Sequence, residues 1–191
     1  MHHQLLKDIC TQSQLSELDI ELCEKYFEPI LYPKNKVIEE AGKVPQYLYY
    51  IVSGFMRLFY YDDNGDEVTI HINCPHGFFT SFSNFSNQTQ SNVNTECITD
   101  CELLRINKPD FDALMQQSIT WKNYSVFVLA DSMTYNENRA KDLATLTAEQ
   151  RYLKLMESHP EIIQNVPLQY IASFLGMKPE SLSRIRRKII T

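Results

Sequence analysis

Near the C-terminus Glu180, Ser181, Ser183, Arg184, Arg187 and Lys188 fall on one polar face, because Leu182, Ile185 and Ile189 take the three-and-four spacing of a buried helical face. These side chains suit the edges and backbone of a duplex. An arginine can donate two parallel N–H bonds to guanine O6 and N7, and a glutamate can accept from a cytosine amino group. Lysine, arginine, glutamine and serine hold phosphates and fix register. Glu180, Ser183 and Arg184 are thus candidates for base edges, and Gln169, Lys178, Ser181, Arg187 and Lys188 are suited to phosphates. Pro179 opens this helix, where its missing N–H costs nothing. Gly176 before it suits a left-handed turn. Ile171, Ala172 and Leu175 give the preceding helix its apolar face. The pattern is a helix-turn-helix whose second helix, about 179–190, would enter a major groove.

The run Ile171-Ala172 … Leu175-Gly176 … Pro179-Glu180-Ser181-Leu182-Ser183-Arg184 closely resembles the C-terminal helix-turn-helix of the cyclic-AMP receptor protein/FNR family of bacterial transcription regulators. The resemblance extends, more weakly, over most of the chain. It implies an α+β fold: an N-terminal β jelly-roll sensor domain, a long dimerisation helix and a winged-helix-like DNA-binding end. It also implies that Glu180 and Arg184 read bases. A further family arginine at the helix start is replaced by Pro179, so the target sequence is expected to differ. The sequence stops at Thr191, after the recognition helix, so the family's wing is expected to be absent.

The net charge of -6 conceals an asymmetry. Residues 143–191 carry seven Lys/Arg and four Asp/Glu, a balance of +3, which leaves -9 for the rest. A basic module on an acidic body fits local DNA binding. No long uncharged apolar run suggests a membrane span, and the first residues lack an export signal, so a cytoplasmic protein is expected. Five cysteines, Cys10, Cys23, Cys74, Cys97 and Cys101, are an odd number at spacings matching neither a zinc site nor an iron–sulfur cluster. Buried, inert thiols are the expectation.

Upstream, residues 15–27 read as a helix with Leu15, Leu18 and Leu22 on one face. Strands are expected at 37–38, 47–52, 55–61, 68–72, 92–98 and 101–106, with Asn64-Gly65 turning a tight hairpin. Many short strands indicate a sandwich or jelly roll. Asp110 favours a helix start. A long helix without Pro or Gly follows, from about 117 to 141, and Trp121, Tyr124, Val128 and Tyr135 share one stripe of it. Packing on its own jelly roll is one outlet for that stripe and pairing with a second copy the other; the resemblance favours the second, because the family's long helix forms its dimer interface. Thr147 and Gln150 form a capping box for the next helix, and Pro160 ends it. The expected division is a sensor at 1–116, the dimer helix and hinge at 117–142, and the DNA-binding domain at 143–191.

Family members that bind cyclic AMP use a glutamate for the ribose and an arginine followed by serine or threonine for the phosphate. The matching positions here are Ser81, Ser91 and Asn92, and no Lys or Arg occurs between Arg57 and Arg105. A buried phosphate needs a counter-charge, so cyclic AMP is not the expected effector. Ser81, Asn84, Gln90, Ser91 and Asn92 can take another small molecule as neutral donors; an empty vestigial pocket and a plain surface loop stand beside that reading. His71 and His76 raise a rival, a cupin-like small-molecule or metal-binding protein whose helical end binds other proteins. The alternation of Val68, Ile70 and Ile72 turns His71 away from that strand face as an ordinary histidine. No catalytic residues, cofactor or metal are expected. The expected partners are double-stranded DNA, a second copy of the chain, an unidentified effector and, from the resemblance, RNA polymerase.

Overall fold

The computed structural model describes residues 1–190, and side chains through 189. Two helices open the chain, α1 (His2–Cys10) and α2 (Glu17–Tyr26). Eight strands follow: β1 (Glu28–Tyr32), β2 (Lys36–Glu39), β3 (Tyr47–Ser53), β4 (Met56–Tyr61), β5 (Glu67–Asn73), β6 (Phe78–Phe79), β7 (Asn94–Cys97) and β8 (Cys101–Asn107), with a short α3 (Phe82–Asn87) after β6. The chain ends in helices α4 (Lys108–Gln117), α5 (Ile119–Thr145), α6 (Ala148–Ser158), α7 (Pro160–Asn165), α8 (Leu168–Phe174) and α9 (Pro179–Ile190).

Two antiparallel sheets, β1-β8-β3-β6 and β2-β7-β4-β5, pack into the expected jelly roll. Tyr49, Ile51, Met56, Leu58, Phe79 and Leu103 fill the space between them. The β4–β5 hairpin turns where Asn64-Gly65 indicated it, with a three-residue loop. Gly65 N–H donates to Asp62 O (3.0 Å), and Gly65 itself takes φ +84°. Farther along the hairpin, a register shift between Leu58 and Phe59 leaves Ile70 as an extra residue and breaks the alternation expected along β5. Ile70 and Ile72 consequently enter different clusters instead of sharing one face.

Elements α1, β1, β6, α3 and α7 escape a pattern reading. Helix α1 has no capping side chain, yet it buries Leu5 and Ile9. Strand β1 carries Pro29, tolerated because β1 is an edge strand. Strand β6 is two residues long. Helix α2 starts at Glu17, so Leu15 precedes it and packs on the cluster that holds buried Leu22, while Leu18 is 52% exposed, off the apolar face. Helix α4 is capped by Asn107, whose side chain accepts from Asp110 N–H (2.9 Å); Asp110 lies in the first turn. The Thr147–Gln150 capping box forms as expected, and Pro160 begins α7.

Helix α5 runs to Thr145, past the expected end near 141, because Asp142, Leu143 and Ala144 offer no break. The stripe assigned to a second copy is occupied by this chain itself. Trp121 is 2% exposed, stacks against Phe27 (5.4 Å) and donates Nε1–H to Asp19 O (3.0 Å). Tyr124 and Val128 complete that cluster, and Tyr135 meets His71 (5.5 Å). Facing solvent instead are Ile119, Val126, Phe127 and Met133. Of the thiols, Cys23, Cys97 and Cys101 are buried as expected, whereas Cys74 is half-buried and Cys10 exposed. Burial pushes the Cys23 thiol up to about 12.

Candidate nucleic-acid interface and effector cavity

The end of α8 is shaped by Gly176. With φ +67°, it donates to Ser173 O (3.0 Å), and Met177 N–H donates to Ala172 O (3.0 Å). This pair of bonds is a Schellman closure, which a left-handed residue makes possible. Two arginines satisfy the carbonyls that remain. Arg139 Nη2 donates to Phe174 O (2.9 Å), and Arg151 donates to Leu175 O (2.9 Å) and Leu146 O (2.6 Å). Their charges also suit the negative end of the α8 dipole. Sequence spacing gave no hint of either role, since both partners are backbone groups supplied by the fold.

Helix α9 then presents its polar face outward. Glu180, Ser181, Arg184, Arg187 and Lys188 are exposed and Ser183 half-buried, while Leu182 is fully buried and Ile185 and Ile189 partly so. Gln169 and Lys178 are exposed beside it. Lys188 Nζ pairs with Glu149 of α6 at 3.2 Å, so a phosphate would have to displace that carboxylate.

The inner side of α8 docks on the β5 edge. Thr69 N–H donates to Ser173 Oγ (2.8 Å). Tyr170 stacks at 3.6 Å on Arg57, whose other side lies over Phe59 (4.0 Å). Arg57 is 1% exposed and donates to Glu96 and Glu67 (both 2.5 Å) and to Thr69 Oγ1 (3.1 Å). This buried cluster ties the roll to the C-terminal helices, and the sequence reading missed it.

A cavity of about 320 Å³ lies between the roll and α5. Aromatic and aliphatic side chains dominate its wall, including Phe27, Leu58, Phe78, Trp121 and Tyr124. Ser81 lines it, but Asn84, Gln90, Ser91 and Asn92 are not brought there. Asn84 donates to Gln90 O (2.8 Å), and Ser91 is buried against the Val93 backbone; these groups are committed to shaping their own loop. The polar groups that do face the cavity include Thr80 and His71. Thr80 Oγ1 is buried without a partner among the described residues. No lysine or arginine lines the wall among the described residues.

The His71 ring makes no hydrogen bond among the described residues and packs on Phe79 and Tyr135. Burial, with Arg139 nearby, lowers its pKa to about 4, so it is neutral at pH 7. The folded state therefore binds fewer protons than the unfolded state between about pH 6.5 and 4. Stability should fall as pH drops through that window, by at most about 1.4 kcal/mol per unit from this group. Urea unfolding of wild type and His71→Gln across the window tests it. The difference between the two curves should grow toward low pH; parallel curves would deny the burial of the imidazole. An apolar surrounding of this kind gives no support to a cupin-like metal centre at His71 and His76.

The architecture is a pair of packed jelly-roll sheets, a long helix closing a cavity against them and a terminal helix-turn-helix. Residues 29–118 match the family model of the cyclic nucleotide-binding domain. Over 181 residues the chain is 25% identical to the cyclic AMP receptor protein of Thermus thermophilus, covering 90% of this chain and 81% of that protein. In fold it is similar to FixK2 from Bradyrhizobium japonicum (TM-score 0.73, 16% identity, 85% and 84% of the two chains). It is likewise similar to CLP, the c-di-GMP-responsive regulator of Xanthomonas campestris (TM-score 0.68, 21% identity, 91% of each chain). The match places a cyclic nucleotide-binding-like domain at residues 29–118, and the chain as a whole has the fold of the cyclic-AMP receptor protein/FNR transcription regulators. Among the described residues no helix is long and apolar enough to cross a membrane.

Proposed function

We propose that the chain is a dimeric, DNA-binding transcription regulator whose cavity takes an uncharged, largely apolar effector rather than cyclic AMP. The observation that carries this reading is the exposed polar face of α9, mounted on a helix-turn-helix with its Schellman turn in place. Arg184 and Glu180, with Ser183, read bases; Gln169, Lys178, Ser181, Arg187 and Lys188 contact phosphates. The functional division is a sensor through residue 116, the long helix, and a DNA-binding end, with the hinge at Leu146, where α5 stops.

Dimerisation uses the outer row of α5. Ile119, Val126, Met133 and Ala140 recur every seven residues, with Leu129 and Leu143 at the intervening apolar positions. That repeat is the seam of a left-handed helix pair. Leu129 and Asn136 lie on the cavity wall as well, so a second copy on this row would also border the effector. The uncharged wall explains the choice of effector: a phosphate would be buried without a counter-charge, while Thr80 Oγ1 and His71 offer a neutral ligand two polar anchors.

Selection of bound duplexes from a random library at physiological salt tests the reading, and a two-fold symmetric motif is expected. On that motif Arg184→Ala should cost about 1–3 kcal/mol and relax one base position. Lys188→Ala should weaken all sequences alike and reduce the salt slope by about one. Equal loss on specific and random DNA for Arg184→Ala would remove it from the base-reading set.

A further inference from the structure

Three metal-ligating side chains from the two halves of the molecule converge outside both sites described above. Cys74 follows β5, His159 caps the end of α6, and Glu161 stands in the first turn of α7. One donor atom from each lies within 4.8 Å of the others, and His159 Nδ1 is 3.1 Å from Glu161 Oε1. Donors sharing a tetrahedral ion stand roughly 3.3–3.8 Å apart, given metal–ligand bonds of about 2.0–2.3 Å. The observed separations, 3.1 Å for His159 to Glu161 and at most 4.8 Å for the other two pairs, bracket that size.

Both carriers are held firmly. Asn73 Nδ2 donates to Phe78 O (3.0 Å) and Asn73 Oδ1 accepts from Cys74 N–H (3.1 Å), while His76 N–H donates to Ile51 O (2.8 Å). On the other side Pro160 fixes the first helical residue of α7, and His159 N–H donates to Leu155 O (2.8 Å). Ile162, one residue beyond Glu161, is buried in the cluster against which Cys74 packs. A neighbouring cavity of about 280 Å³, lined in part by Cys74, His159 and Asp131, gives an entry path and room for a water ligand.

We infer that Cys74, His159 and Glu161 form a three-ligand site for a divalent transition-metal ion, with thiolate, imidazole and carboxylate donors and one open position. A sulfur–nitrogen–oxygen set of this kind suits zinc and its spectroscopic substitute cobalt, and discriminates against magnesium and calcium. The bound ion bridges the turn after β5 to the α6–α7 junction, so it fastens the jelly roll to the DNA-binding helices. No step of effector or DNA recognition is required for it, and the site stands or falls independently of them.

The test is titration of the reduced, chelator-treated full chain with Co²⁺, followed by competition with Zn²⁺. One ion per chain and a near-ultraviolet thiolate-to-cobalt band are expected. Cys74→Ser should abolish the band, and Glu161→Gln should weaken binding at least about 10-fold while keeping it. Cys10→Ser, which removes the exposed thiol, should change neither. Each variant is first checked for wild-type thermal unfolding without metal. Sub-stoichiometric binding, a band that survives Cys74→Ser, or one that disappears with Cys10→Ser would overturn the assignment.

Discussion

Replacing Arg57 by alanine lowers the unfolding free energy by about 3–5 kcal/mol, the usual cost of breaking a buried ion pair from one side. The guanidinium is 1% exposed and Glu96 only 6%, so truncation strands a carboxylate that neither water nor another cation reaches. The rings of Phe59 and Tyr170 lose the plane between them at the same time. The double variant Arg57→Met, Glu96→Gln should recover much of the loss, because the two charges then leave together. Urea unfolding reads both. A midpoint shift without a change in slope is the expected form, since the same surface is exposed. A loss below about 1 kcal/mol for Arg57→Ala, or a double variant no better than the single, would mean that the cluster is open to water. Because Tyr170 belongs to α8, Arg57→Ala should also loosen the helix-turn-helix from the roll, visible as faster amide exchange along α8.

Arg57 illustrates what the sequence does not disclose. In β4 it sits among apolar neighbours, and only the pairing of β4 with β5 and β7 brings it to Glu67, Thr69 and Glu96. Nothing local records those register partners. The helix-turn-helix was legible because its determinants are local: a glycine that alone suits φ +67°, a proline in the next first turn, and apolar residues three and four apart. The hairpin at Asn64-Gly65 and the capping box at Thr147 were legible for the same reason. Helix α1 lacks such marks and is held by tertiary contacts, with Tyr50 Oη donating to Asp8 and His76 Nδ1 at 3.2 Å from the same carboxylate. In the jelly roll, counting residues showed the run without Lys or Arg between Arg57 and Arg105 but not where the cavity lies. Ser81 reaches the wall because it follows β6, whereas 84–92 fold away into α3 and the next loop.

The same distinction governs α5, where periodicity revealed an apolar stripe but not what would cover it. Two variants separate the possibilities. Trp121→Ala should cost about 3–5 kcal/mol in unfolding free energy, because the indole is 2% exposed and packed inside its own chain. The loss of its Nε1–H bond leaves Asp19 O short of a donor as well. Met133→Glu, at a position 64% exposed, should leave the isolated chain's stability within about 0.5 kcal/mol. Yet across the proposed seam of Val126, Met133 and Ala140 it would place two like charges against each other, so sedimentation should show monomers for the variant where wild type shows a dimer. Each variant thus has one strong effect and one weak one, in opposite measurements. If Met133→Glu stays dimeric while Trp121→Ala dissociates with its unfolding midpoint unmoved, the inner stripe is the dimer face after all. The aromatic packing of Phe27 on Trp121 would then have to exchange partners when two chains meet. A rigid core at α5 makes the first pattern the expected one: Trp121 and Tyr124 lock the helix onto the roll, which leaves the outer row free to meet a second copy.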